Sequence, residues 1–238
     1  MSQRRGPPRN LRQLRRLIRE KAIKWGADLV GFADAKRFNR YGEGNRPPSE
    51  TKTVIVLGIW MEDQILDLWL HTPSWKSENK PSRAFEDEIL RGTSLRISLM
   101  LEQEGFWAEP APYEPGLYLK EAGVLAGLGV IGKNNLLITE EYGPRIRLRA
   151  LNTNASLKAD QIIEGVDYCR ECNMCVKACP ANALSSGKYN KKDCLSYCEN
   201  NLTEISRYSV LWCMECSSVC PVGKSRERKS IPPNMKPQ

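Results

Sequence analysis

Eight of the nine cysteines stand at spacings that suit iron and sulfide better than pairing with each other. The run Cys169-x2-Cys172-x2-Cys175-x3-Cys179-Pro180 comes first, Cys194 follows, and Cys213-x2-Cys216-x3-Cys220-Pro221 closes the series. Gaps of two residues turn successive sulfurs the same way, so one loop can cover three corners of a cubane. A cysteine three residues further on, followed by proline, points away and in two-cluster proteins ligates the other cluster. On that logic Cys169, Cys172, Cys175 and Cys220 hold one [4Fe–4S] cluster, while Cys179, Cys213, Cys216 and a remote cysteine hold the second. The remote ligand is Cys194 or Cys198, both of which lie between the two runs. Zinc also takes Cys-x2-Cys pairs, but its sites use two separated pairs. Here a third cysteine follows at once and both runs end in Cys-Pro. The odd count and the lack of an export signal argue against a disulfide framework and for a reducing cytoplasm. The chemistry to expect is electron transfer.

Something must position those thiols. The chain has 238 residues, and the cysteines claim roughly the last 70 of them. Residues 11–160 contain no cysteine and are expected to be a separate α/β cofactor-binding core that folds on apolar burial alone. Residues 161–223 form the double-cluster module, between a flexible basic leader at 1–10 and a basic tail at 224–238. Leu11, Leu14, Ile18, Ala22 and Trp25 recur at helical steps up to Gly26. Residues 28–35 and 52–61 read as strands, the second apolar enough for burial on both faces. A long helix is expected over 82–104, with Phe85, Ile89, Leu95 and Leu99 among its core positions. A shorter helix follows over about 117–125, and the alternating stretch 145–152 reads as a half-exposed strand. Mixed elements in this order give an α+β fold.

Charge is concentrated at the ends. The net +8 hides a leader, residues 1–24, that alone carries +8 and a tail, residues 224–238, that carries +4, leaving −4 for residues 25–223. Two 2− clusters would take the middle to about −8. Basic ends can meet nucleic acid or an acidic redox partner, or serve as a solvated face. No apolar run approaches the roughly 18–20 residues that cross a bilayer. The arginine pairs Arg4-Arg5 and Arg15-Arg16 precede a segment broken by Arg19, Lys21 and Lys24, so they do not read as an export signal.

A second segment carries information of its own. Gly127, Gly129 and Gly132 permit close backbone approach to a bulky planar ligand, and Lys133, Asn134 and Asn135 supply donors for its amide and phosphate groups. Arg145 and Arg147, at alternate positions, can clamp the same groups. The stretch AGLGVIGKNNLLITEEYGPRIRLRALNT, residues 126–153, resembles the corrinoid-dependent iron–sulfur reductases, the family of epoxyqueuosine reductases and reductive dehalogenases. Its members pair a GLG-x-x-GK/R-N stretch and an EYGPR-like run with a double [4Fe–4S] module. Here these are Gly127, Leu128, Gly129, Gly132, Lys133 and Asn134, then Glu141, Tyr142, Gly143, Pro144 and Arg145. The family's remote-ligand site resembles Asp193-Cys194-Leu195-Ser196-Tyr197, which favours Cys194 over Cys198.

The resemblance implies a nitroreductase-like core that binds base-off cobalamin without a protein histidine on cobalt. That agrees with a single histidine, His71, which carries no assignment. Epoxyqueuosine reductases place a proton-donating aspartate about fourteen residues before the GLG. This chain has Tyr113 there, with Glu114 beside it, so these two become the catalytic candidates. The chain is expected to be a short member, without the C-terminal helical repeats of longer relatives. The function expected is a cytoplasmic reductase that takes electrons from a ferredoxin- or flavodoxin-type donor. Two clusters pass them to a corrinoid, which acts on a small-molecule or tRNA-borne substrate. The alternatives are an electron-transfer protein or reductive activator serving another corrinoid protein, a flavin-dependent reductase, and nucleic-acid binding through the leader.

Overall fold

The computed structural model describes residues 10–61, 69–70, 83–112, 116–185, 188–206 and 209–223. Tyr113, Glu114, His71, the tail 224–238 and all but the last residue of the leader lie outside the described residues. Helix α1 (Leu11–Lys24) starts where the side chain of Asn10 accepts a hydrogen bond from the Gln13 N–H at 2.9 Å. It buries Leu14, Ile18 and Ala22 and stops at Trp25, as the apolar steps predict.

Strands β1 (Leu29–Asp34), β2 (Thr53–Trp60), β5 (Ala108–Pro110) and β8 (Ile146–Thr153) make an antiparallel sheet in the order β1-β2-β8-β5. Strand β2 is flanked on both edges, and its first six residues are buried. Its alternating side chains feed two cores. Ile55 and Leu57 pack with Leu14, Ile18 and Leu90 on one face, while Val54 and Val56 pack with Ala122 and Leu125 on the other. Helix α2 (Phe85–Gln103) covers the first face and helix α3 (Leu119–Leu125) the second.

Two expectations need correction. The buried stripe of α2 is Leu90, Ile97 and Leu101 with Thr93, Ser94 and Ser98, whereas Leu95 and Leu99 are 44% and 59% exposed. Two of these three small hydroxyls find bonds on the buried face. Thr93 Oγ1 donates to the Trp25 carbonyl at 2.7 Å and Ser94 Oγ to the Arg91 carbonyl at 2.8 Å. Strand β8 is interior to the sheet, not half exposed. Its charged alternation survives because Arg149 grips Asp87 at the start of α2 with two bonds of 2.5 Å. Both side chains are largely buried, so Asp87→Ala would take both of these charge-assisted bonds from the Arg149 guanidinium. It should cost about 3–5 kcal/mol in urea unfolding, against under about 1 kcal/mol for truncating an exposed partner such as Glu20.

A second sheet was not anticipated. Strands β3 (Trp69–Leu70) and β4 (Arg83–Ala84) lie between β2 and α2 in the chain. Strands β11 (Thr203–Ser206) and β12 (Ser209–Leu211) lie between the cysteine runs, and the four pair in the order β11-β12-β3-β4. The cysteine-bearing part is thus stitched into the core by main-chain hydrogen bonds. No helix among the described residues is long and apolar enough to cross a membrane.

Asp160, on the segment leaving β8, pins the approach to the cysteines. Its carboxylate accepts from the Phe32 N–H at 3.0 Å and from Arg15 and Arg19 of α1, and both guanidinium groups sit against the Phe32 ring. Two of the nine cations in residues 1–24 are therefore engaged with the protein itself.

Candidate metal centre

The glycine-rich segment folds into a tight hairpin, β6 (Val130–Ile131) against β7 (Leu137–Ile138). The Gly132 N–H donates to the Leu136 carbonyl at 3.0 Å, and Asn135 takes the left-handed turn position, φ 56°. Its glycines fit against protein. A Cβ on Gly127 would collide with the Gln161 backbone, one on Gly129 with the Ile138 backbone, and one on Gly132 with the Ile138 side chain.

The hairpin's polar side chains point to the cysteine loops. Lys133 Nζ donates to the carbonyls of Cys172 (2.9 Å) and Arg170 (3.4 Å) and to Asn173 Oδ1 (3.0 Å). Asn134 is 4% exposed; its Nδ2 donates to the Cys216 carbonyl at 3.3 Å while its Oδ1 accepts from the Leu136 N–H. The Asn135 carbonyl accepts from Lys120 Nζ at 2.5 Å. Arg145, just before β8, reaches the second run, with Nη1 and Nη2 each 3.4 Å from the Ser217 and Val222 carbonyls. Beside it Gly143 and Gly223, both at positive φ, meet backbone to backbone. Lys133, Asn134 and Arg145, picked out by sequence as cofactor donors, therefore all bind main-chain oxygens of the cysteine-bearing loops.

Those loops gather the thiols. Helix α4 (Met174–Ala178) carries Cys175 and packs against α6 (Glu215–Ser218), which carries Cys216. Helix α5 (Lys191–Asn200) carries Cys194 and Cys198 one turn apart, and the Asn190 side chain caps it. Cys169, Cys172, Cys175 and Cys220 line one small cavity beneath Asn134 and Ile138. Burial raises the Cys175 pKa, and Cys169, Cys172 and Cys220 raise it further.

The other thiols form a second neighbourhood. Burial pushes Cys216 up to about 12, helped by Cys213, Cys194, Cys175 and Cys179. Cys213 is raised by burial and then by Glu215, Cys194 and Cys179. Because Cys216 also feels Cys175, the two groups abut. Cys198, 4% exposed, is pushed up to about 12 by burial, then by Cys194 and Cys213. Among the described residues no three His, Cys, Asp or Glu side chains converge on a point where a single metal ion could sit.

Two adjacent groups of partly buried thiols, among which burial raises Cys175, Cys198, Cys213, Cys216 and Cys220, suit a polycationic cluster, which stabilises the thiolates collectively. The donor set fits. Sequence reading missed Lys120 and Tyr189 at the edge of the second group. Lys120 is half-buried, which lowers its pKa, and its Nζ stands 5.6 Å from the centre of the Tyr189 ring. Nothing in the spacing of these two residues marks them, since they are 69 positions apart.

No protein-family model matches the chain. A tetrachloroethene reductive dehalogenase of Dehalobacter restrictus is 36% identical over 148 residues, 55% of this chain and 26% of that protein. An epoxyqueuosine reductase of Listeria monocytogenes is 38% identical over 110 residues, 43% of this chain and 28% of that protein. Each alignment thus spans only about a quarter of the curated relative's length. Among solved structures, a reductive dehalogenase whose structure bears on B12-dependent dehalogenation superposes with a TM-score of 0.70 at 19% identity. That match covers 92% of this chain and 33% of the neighbour, and shows the shared fold. In sequence the chain is similar to epoxyqueuosine reductases and reductive dehalogenases alike, and in fold it is similar to solved structures of both.

Proposed function

We propose that the chain is an iron–sulfur reductase in which two [4Fe–4S] clusters serve a corrinoid seated on the core. The observation that carries this reading is the crossing of the cysteine runs. Cys220 of the second run shares a cavity with Cys169, Cys172 and Cys175 of the first. Cys179 of the first run acts on Cys213 and Cys216 of the second. That exchange is the hallmark of paired clusters. When bound, the clusters supply one-electron transfer and the corrinoid supplies reductive cleavage of a bond to a leaving group.

The residues of this chain hold and aim. Eight thiolates bind iron, with Cys194 as the remote ligand of the second cluster. Lys133, Asn134 and Arg145 fix both cysteine loops on the core, which sets the distance from clusters to core. Tyr113 and Glu114 are carried forward as proton donors. Gly127, Gly129, Gly132 and Asn135 are carried forward as the segment on the corrinoid side of the core. The electron donor is of the ferredoxin or flavodoxin type, and the substrate is a small molecule or a tRNA-borne group.

Corrinoid titration tests the reading. Anaerobically reconstituted protein should retain about one cobalamin per chain after desalting from micromolar ligand, with a base-off paramagnetic signal. A second reading has its own support: Lys133, Asn134 and Arg145 already donate to module carbonyls and are not turned toward a ligand. On that reading the chain is an electron-transfer protein or reductive activator for a separate corrinoid protein. A full iron complement with no retained cobalamin would select it, and retained flavin would select a flavin-dependent reductase instead.

A further inference from the structure

Lys133 projects from the hairpin turn of the core into the first cysteine run. Its Nζ donates to the carbonyls of Cys172 and Arg170 and to Asn173 Oδ1, at 2.9, 3.4 and 3.0 Å. An ammonium has three donors, and these three oxygens take all of them. None of the three carries a charge. Among the described residues no carboxylate is recorded within ion-pairing distance of Lys133. Asn173 gives up a bond for this contact. It stands at the N-cap of α4, where asparagine ordinarily turns its side chain onto the helix's own N–H groups, and it makes no such bond. The Cys172 N–H donates to the Cys169 carbonyl at 3.2 Å, so the lysine closes the turn that joins two of the thiols. Elsewhere the run leans on the module itself: α4 packs against β9 (Leu184–Ser185), which pairs with β10 (Lys188–Tyr189). A half-buried ammonium that meets only neutral oxygens keeps a positive charge that no side chain offsets.

We infer that the counter-charge of Lys133 is the first cluster itself, and that Lys133 sets the reduction potential of that cluster. The inference rests on the reading that Cys169, Cys172, Cys175 and Cys220, which line one cavity beneath the hairpin, hold a [4Fe–4S] cluster. Such a core with four thiolates goes from 2− to 3− when it gains one electron. A cation fixed beside it favours the more negative state and raises the potential. Lys133 belongs to the core and not to the cysteine module. The setting therefore exists only while the module is docked, and a module lifted off the core becomes harder to reduce.

The test is a redox titration of the full-length, anaerobically reconstituted protein, followed by electron paramagnetic resonance, with iron counted per chain. Lys133→Gln keeps a donor and removes the charge. It should lower the reduced-to-oxidised ratio of one cluster about tenfold at fixed potential, equivalent to ~59 mV for one electron, and leave the other cluster unmoved. Lys133→Met should shift the same cluster in the same direction, and Lys133→Arg should keep the parent midpoint. Lys177→Met removes an exposed cation of the same run, one that solvent screens, and should move neither midpoint. Unchanged midpoints in Lys133→Gln and Lys133→Met, with iron intact, would overturn the inference. So would an equal shift in Lys177→Met, which would make net charge the cause. Where a variant sheds part of its iron, the midpoint is read on the clusters that remain. Loss of a whole cluster from both Lys133→Gln and Lys133→Met would make the residue a structural clamp and overturn the inference too. Only one cluster in the parent protein would overturn the cluster reading first, and this inference with it.

Discussion

Gly143→Ala is expected to loosen the cysteine module from the core while leaving the core folded. Gly143 has φ 58°, and an added Cβ would stand 2.0 Å from the Val222 carbonyl oxygen. A left-handed alanine costs about 1 kcal/mol by itself. The collision adds more, because neither side can yield cheaply. Gly143 is held by paired bonds with Thr139, of 2.9 and 3.0 Å, and Val222 by Arg145. Across the contact Gly223, φ 91°, already approaches the backbone of Gly143 and Tyr142. A total of about 3 kcal/mol or more is expected, lowering the docked-to-undocked ratio over a hundredfold. Amide exchange should rise around residues 214–223 and 130–136 and stay unchanged in β2. Unaltered protection at 214–223 would show that this contact does not hold the module.

Cys194→Ala should take the protein from about eight irons per chain to about four, and Cys198→Ala should leave the count near eight. The effect is all-or-none because a cubane that loses a thiolate corner loses the charge that retains its iron. Cys194 acts on Cys213, Cys216 and Cys198, which places it at the centre of the second group. Cys198 is recorded beside Cys194, Cys213 and Tyr189 and is deeply buried. Both thiols lie one helical turn apart on α5, so the comparison is well controlled. Eight irons in Cys194→Ala, with four in Cys198→Ala, would reverse the ligand assignment.

Much of the scaffold was legible because its signals are local. The steps Leu14, Ile18 and Ala22 announce α1, and the unbroken run Val54–Leu57 announces a strand buried on both faces. Helix α2 was found but turned the wrong way. Its exposed Leu95 and Leu99 look like core, while its buried Thr93 and Ser94 look like surface. Hydropathy cannot see a hydroxyl whose partner is a carbonyl on its own helix or on the turn at Trp25. At the candidate metal centre the proposed grouping of cysteines comes from chain spacing alone. The destinations of Lys133, Asn134 and Arg145 could not be read that way, since each reaches a carbonyl 37 or more residues further along the chain. Glycine and donor residues at that spacing signal close approach, but they do not say to what. Tyr113 and Glu114, proposed as proton donors, belong to residues the structure does not describe.

The four-strand sheet that β3 and β4 share with β11 and β12 has a practical meaning for anyone cutting or grafting this protein. A protease nick between Leu157 and Tyr168 would sever the covalent route to the first cysteine run yet leave the halves zipped together at Trp69 and Val210. Conversely, a graft of residues 161–223 onto another core would arrive with β12 lacking its neighbour, and an open edge of that kind invites aggregation. Transplanting the cysteine-bearing unit intact therefore means carrying β3 and β4 along with it.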